Sequence, residues 1–320
     1  MEYLLIMLLV IVTIFLGKVG TWFGFSEVVG QLFSGIILGS SILNIVQSSH
    51  LIHLIAEIGI FLLMLNSGLE SDLKEMKRYI KASSLIAVMG VLLPLITFPI
   101  AFLLLGYNIQ TSIFAGVVFS ATSISITLAV LSEQKKLATA IGAIILSAAV
   151  IDDIIALFAV TLFSVLVGGG ALGINSILPL LAFALGILLR KYNFSDKIGV
   201  ISTKMGNSFF YPVFFGSIGL EIVIQGLGDK ITAIIIFSIL AIVTKFVGSL
   251  WGAKISGLDT RVSSAIGAGM ISRGEMALVI IQIGISSHII DDYTSAEFIV
   301  AVIVSTIVAP IIMKPLFKKI

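Results

Sequence analysis

"ILSAAVIDDIIALFAV", residues 145–160, sets two adjacent carboxylates, Asp152 and Asp153, between seven uncharged residues on each side. The flanks are almost wholly apolar, so the pair is expected inside hydrocarbon. An ionised carboxylate there is costly, and a second one beside it adds repulsion. A chain that keeps such a pair has a use for it.

The rest of the chain has the composition of a membrane protein. Of 320 residues, 58% are hydrophobic and 11% are charged, and the mean hydropathy is +1.20. A soluble chain of this length could not cover its surface with so few charges. Apolar runs of about 20 residues suffice to cross a roughly 30 Å hydrocarbon layer at 1.5 Å per residue. The expected fold class is all-α and polytopic. Eleven transmembrane spans are expected, at 2–22, 27–46, 51–69, 82–105, 111–131, 138–167, 174–190, 206–225, 231–252, 262–288 and 294–315. The absence of cysteine excludes disulfides, thiolate catalysis and cysteine metal sites.

Lys and Arg placement tests that count. If the chain crosses at every span, sixteen of the nineteen basic residues collect on the side opposite the N-terminus. Lys230 alone falls on the N-terminal side, and Lys245 and Arg273 fall inside spans. Cytoplasmic loops carry the basic excess, so the N-terminus is expected outside and the C-terminus in the cytoplasm. The basic residues sit in short loops, so the net charge of +2 does not imply nucleic acid as a partner. The acidic start, Met1-Glu2, lacks the basic region of a signal peptide.

An internal repeat follows from a fixed offset of 151 residues. "LFSGIILG" (32–39) matches "FALGILLR" (183–190), with Gly35 on Gly186. "FLLMLNSGLE" (61–70) matches "PVFFGSIGLE" (212–221), with Gly68 on Gly219 and Glu70 on Glu221. Spans 2–6 and 7–11 are thus two five-helix copies of opposite orientation. Inverted repeats mark secondary transporters, with the substrate site between the copies near the membrane midplane. The expected organisation is a first part, 1–167, an external linker, 168–173, and a second repeat, 174–320.

Polar residues collect in the equivalent spans 5 and 10. "FSATSISIT" carries Ser120, Thr122, Ser123, Ser125 and Thr127, and the offset takes Thr122–Ile124 onto Arg273–Glu275 in "GAGMISRGEMAL". Both helices are expected to break at one depth, which membranes tolerate only where the backbone is buried in protein or lines a wet cavity. Lys245, in "AIVTKFVGS", can pair with one aspartate. Successive helical residues diverge by about 100°, so the other aspartate can face a cavity. Arg273 and Glu275 are read as charge compensation for half-helix dipoles rather than as substrate contacts. Desolvation favours a protonated carboxylate, whereas its ionised form is a hard oxygen ligand for a small cation. A proton and a cation can therefore compete for one site, which is what exchange requires.

At these residues the chain resembles the NapA-type sodium/proton antiporters of the cation:proton antiporter superfamily. The resembling stretches include "SEVVGQLFSGIILGSSIL" (26–43), "FSATSISITLAVLSE" (119–133), "AAVIDDIIAL" (148–157), "IVTKFVGSLWGAKISGL" (242–258) and "GMISRGEMALVI" (269–280). The resemblance implies that Asp153 carries the cation and the proton and that Asp152 partners Lys245. It implies that Thr122 and Ser123 line the ion site and that Glu275 belongs to the second crossover. It also implies a core transport domain, 82–167 and 231–320, moving elevator-like against a scaffold, usually in a homodimer, and electrogenic exchange. One departure stands out: family members usually carry two more spans where "LVGGGALGINS" (166–176) joins span 6 to span 7 here. One missing span is the expected dimer partner of span 1, so a weakened homodimer, or none, is expected.

The expected function is exchange of a monovalent cation, sodium first, with potassium or lithium as alternatives, for protons across the plasma membrane. The chain is expected to need no cofactor, to bind no nucleotide and to be no enzyme. A cation channel is the main rival, but no repeated filter sequence supports it. "GGGALG" (168–173) has the spacing of a dinucleotide loop without the preceding strand. "GLGD" (226–229) has the look of an intramembrane protease motif, but no second aspartate faces Asp229. His50, His53 and His288 fall at external span ends and are read as solvated.

Overall fold

The computed structural model describes all residues except 1, 24, 71–72, 138, 168–173, 192–194, 223–226 and 319. The described residues are helical, with no strand among them. In chain order the α-helices are α1 (Glu2–Trp22), α2 (Glu27–Leu38), α3 (His50–Glu70), α4 (Leu73–Leu104), α5 (Ile109–Val118), α6 (Ile124–Glu133) and α7 (Ala140–Val167). There follow α8 (Ile174–Leu189), α9 (Ser195–Met205), α10 (Tyr211–Glu221), α11 (Ile231–Ile255), α12 (Thr260–Gly269), α13 (Glu275–Ser286) and α14 (Asp292–Phe317). Six stretches are long and apolar enough to cross a membrane, lying within α1, α3, α4, α7, α11 with its approach, and α14. The chain is a multi-pass membrane protein.

Spans 5 and 10 are each two short helices in the structure, α5 with α6 and α12 with α13. The offset of 151 carries α5 onto α12 and the first residue of α6 onto the first of α13. Even the caps correspond. Asn108 accepts from the Thr111 amide at 2.8 Å, and its repeat mate Asp259 accepts from the Arg261 amide at 2.9 Å. Each satisfies a donor that the helix start leaves free. The Arg261 and Thr260 amides hold the exposed Asp259 carboxyl below the usual carboxylate range.

Two expected boundaries are corrected. The second helix stops at Leu38 rather than at 46, because the backbone turns extended at Gly39 (φ -77°, ψ -174°); Asn44 then turns the chain back in the left-handed region (φ 49°). The returning amides of Leu43 and Val46 then bond the carbonyls of Ile37 and Leu38, supplying donors at the helix's open end. The eighth span begins earlier than 206. Residues 195–205, read as a basic loop, form α9, which runs through a π-helical segment, Gly206–Phe210, into α10. A side chain at Gly206 would strike the Tyr211 ring.

The described chain divides into two compact units. The first comprises Met1–Ser71, Ala171–Asp229 and Asp291–Ala296. Within it, glycines let helix backbones touch. Gly35 of α2 lies on Gly219 of α10, and a Cβ on Gly35 would meet Gly216 O and Leu220 N. Gly186 of α8 lies on Gly68 of α3, and its Cβ would meet Leu65 O and Leu69 N. Every atom in the second set is the repeat mate of one in the first. The two crossings are one crossing built twice. Such close approach of small residues is how membrane helices gain dispersion contact without a hydrophobic driving force.

The second unit comprises Asp72–Gly170, Lys230–Ile290 and Glu297–Ile320. Its α11 lies along α4 through "GSLWG" (248–252): Gly248 packs on the Met89 carbonyl and Gly252 on Leu85 and Ile86. The buried cluster of Ile145, Ala148, Ala149, Ala265, Ile266 and Met270 fixes α7 against the first broken half, α12. Asp152 and Asp153 stand one turn further along α7.

Candidate functional site: the crossing of two broken helices

The chain between α5 and α6, residues 119–123, crosses the chain between α12 and α13, residues 270–274. The Ser123 amide donates to the Ser272 carbonyl at 2.8 Å, and the Ser272 hydroxyl donates to the Ser123 carbonyl at 2.8 Å. Thr127 joins in, with its hydroxyl 2.9 Å from that of Ser272 and donating to Gly269 O at 2.7 Å. These bonds between buried groups replace some of those lost where the helices part, as a low-dielectric interior demands.

Four half-helix ends meet at this point, and charged side chains oppose their dipoles. The C-terminal end of α5 is negative. The guanidinium of Arg273 donates to Ala121 O there at 2.8 Å and to Ala241 O on α11 at 2.8 Å. Arg273 is fully buried and lies 5.6 Å from the centroid of the Phe119 ring. The Lys245 ammonium donates to Ser120 O at the same end. At the positive N-terminus of α13, the Glu275 carboxylate accepts from the Ser123 hydroxyl at 2.8 Å. The Thr306 hydroxyl of α14 donates to the Arg273 carbonyl and ties the break to its neighbour.

Asp152 and Lys245 form an ion pair at 2.6 Å, with both side chains fully buried. Asp153, 3% exposed, points elsewhere. Its Oδ1 has no hydrogen-bond partner among the described residues, and the same holds for Asp152 Oδ2 and the Thr122 hydroxyl. Thr122 stands beside Asp152, although outside hydrogen-bond geometry. The charges acting on Asp153 are Asp152, Glu275 and Lys245. If all are ionised, the three carboxylates outnumber the two cations Lys245 and Arg273 by one. Buried ions require compensation. A proton or a monovalent cation at Asp153 would supply it, with Asp152 Oδ2 and Thr122 as further oxygen donors.

All seven residues singled out in the sequence lie at or around this crossing: Thr122, Ser123, Asp152, Asp153, Lys245, Arg273 and Glu275. Ser123 is held by Glu275, whereas Thr122 is free. Ser120 bonds back to Val117 O, the ordinary helical outcome. The side chain of Ser125 and the linker 168–173 lie outside what the structure describes. His53 stands apart, 3.0 Å from Ser48 and 3.7 Å from Glu221. Ser272 and Thr306 are structural partners that sequence reasoning did not select. Ser272, directly before Arg273, could have been found by asking what pairs with the hydroxyl-rich break.

The family model "Sodium/hydrogen exchanger, transmembrane" matches residues 6–182 and 171–319. A protein of Enterococcus hirae named "Na(+)/H(+) antiporter" is 33% identical, covering 100% of this chain and 99% of its own. The "Na(+)/H(+)-K(+) antiporter GerN" of Bacillus cereus is 29% identical over 98% of this chain and 95% of its own. The solved sodium proton antiporter MjNhaP1 of Methanocaldococcus jannaschii superposes with a TM-score of 0.78 at 13% identity, covering 100% of this chain and 99% of that one. At that identity it establishes the fold. Paired repeats, crossed helix breaks and near full-length matches lead to one assignment: the chain belongs to the sodium/hydrogen exchanger family.

Proposed function

We propose that this protein exchanges a monovalent cation, sodium first, for protons across the plasma membrane, and does so as a transporter rather than as an enzyme. The observation that carries the reading is the Asp153 oxygen without a partner among the described residues, beside the Asp152–Lys245 ion pair. Asp153 binds either the proton or the cation, with Thr122 and Asp152 as neighbouring donors. Ser123, Glu275 and Arg273 hold the crossing in shape. The names of the relatives in Enterococcus hirae and Bacillus cereus support sodium, and the GerN name supports potassium as a second cation.

The second unit, close to the expected 82–167 and 231–320, serves as the moving core, and the first unit serves as its scaffold. The cycle is electrogenic: cation binding draws Asp152 from Lys245, and the lysine releases a second proton. About two protons then move per cation, and voltage contributes about 2.3 kcal/mol per charge per 100 mV. Sodium, lithium and potassium gradients imposed on sealed proteoliposomes decide the cation. Uphill proton movement coupled to sodium is expected, and a conductive leak without coupling would make the protein a channel.

Assembly is the other departure. The Enterococcus hirae alignment runs over 386 positions against 320 residues here, so at least 66 of its positions face a gap. The two family-model matches meet at 171–182, next to the direct join of α7 to α8. We assign the gap to the two missing spans, and with them the usual partner of α1. The homodimer is then weak or absent. Mass measurement on dilution in detergent should give monomer, and a dimer persisting at nanomolar concentration would count against this.

A further inference from the structure

Buried hydroxyls on α11 show two behaviours. Ser238 donates to Ile234 O at 2.7 Å and Thr244 to Leu240 O at 2.6 Å, the back-bond that satisfies a hydroxyl inside a helix. Ser249 is fully buried and has no hydrogen-bond partner among the described residues. Its hydroxyl turns to Gly90 of α4 instead. A Cβ on Gly90 would stand 2.6 Å from Ser249 Oγ and 3.6 Å from Lys245 Nζ. Both atoms therefore pack against the bare backbone of Gly90, within about 6 Å of one another. Lys245 and Ser249 are four residues apart, on one helix face. A buried hydroxyl without a partner is costly, and this one faces the flexible amine on which the ion pair depends.

We propose that Ser249, packed against Gly90, is a positioning residue that receives the Lys245 amine when a cation takes Asp152 away from it. The inference rests on the electrogenic reading above. In that step an N–H bond of the Lys245 ammonium breaks, and the proton leaves to water on the open side. The neutral amine keeps the electron pair. It has lost its carboxylate partner, and the Ser249 hydroxyl donates to its lone pair. The charged groups facing Lys245 are Asp152 and Asp153 on α7 and Arg273 at the crossing. Residues 82–104 of α4, which pack along α11, carry no charge. Ser249 is thus a hydrogen-bonding group beside the amine that carries no charge of its own and can serve it in its neutral form.

The test measures sodium-driven proton flux of the full-length protein in sealed proteoliposomes, across a pH series, with and without an imposed potential. Ser249→Ala should raise the KM for sodium roughly two- to tenfold near neutral pH, the worth of one hydrogen bond. The difference should close at alkaline pH, where proton release needs no help. Ser249→Thr, which keeps the hydroxyl, should restore the wild-type profile. Gly90→Ala, whose methyl group displaces Ser249 Oγ, should shift KM in the same direction as Ser249→Ala. A voltage-responsive wild type with an unchanged Ser249→Ala profile would overturn the inference alone. So would an equal loss of maximal rate at every pH with KM unchanged, which is a packing effect. A wild type indifferent to voltage would remove the electrogenic reading and this inference with it.

Discussion

In the first unit, Gly35 meets Gly219 and Gly68 meets Gly186 through neighbours that are themselves 151 residues apart. In the second unit the same offset joins Asp152 to Ile303, Asp153 to Val304, Lys245 to Pro94 and Ser123 to Gly274. The backbone frame still repeats there, since α5 maps onto α12 and Asn108 onto the cap Asp259. The frame is common to both units, but the side chains that handle charge in the second are not matched across the repeat. Close helix crossings reward sameness, because two equivalent contacts need the same small residues. An ion site cannot be built twice at the same place. A second aspartate pair on α14 would add two buried negative charges, and one lysine could not compensate both pairs.

That contrast can be broken most decisively at Asp153. Asp153→Asn keeps the shape but removes the site for both proton and cation, so exchange in proteoliposomes should vanish; robust cation-dependent proton flux would exclude Asp153 as the carrier. Next in size is Lys245. Its replacement by Ala strands the buried Asp152 charge and should cost about 3–5 kcal/mol of stability. Lys245→Gln keeps length and polarity, and should retain some exchange while losing the response to membrane potential.

The symmetric side is sharpened by a paired measurement. Gly219→Val and Gly68→Val each force a side chain into a backbone contact, and should each destabilise the protein by about 1–3 kcal/mol. If the two crossings are equivalent, the two variants should lower Tm alike in one detergent; a severalfold difference would show that the repeat is geometric and not energetic. The smallest effect is expected at Thr122. Thr122→Val removes one oxygen donor beside Asp152, and should weaken cation affinity roughly two- to tenfold. Its folding should be unaffected, since the hydroxyl has no hydrogen-bond partner among the described residues.

Much of the frame could be read from the chain because membranes restrict structure so strongly. Every backbone donor in hydrocarbon needs a partner, so apolar length alone identifies helices. Gly35, Gly68 and the motifs around Asp153 and Arg273 carried the repeat and the breaks. Boundaries fixed by local geometry were less legible. The extended backbone at Gly39 ends α2 early, and the π segment at Gly206–Phe210 lets α9 run into a span that hydropathy starts eleven residues later.

The sequence by itself determined the helical class, the inverted repeat and the identity of the buried charges, since each depends on composition, spacing or a fixed offset. Only the tertiary structure decided who partners whom. It gave Lys245 to Asp152, bonded Ser123 to Glu275, left Thr122 and one Asp153 oxygen free, and set Ser249 against Gly90. The physical reason is that much of the bonding at the crossing runs to main-chain carbonyls of Ser120, Ala121, Ser123 and Ala241. A carbonyl is present at every residue, so no sequence pattern marks the few that packing will leave open.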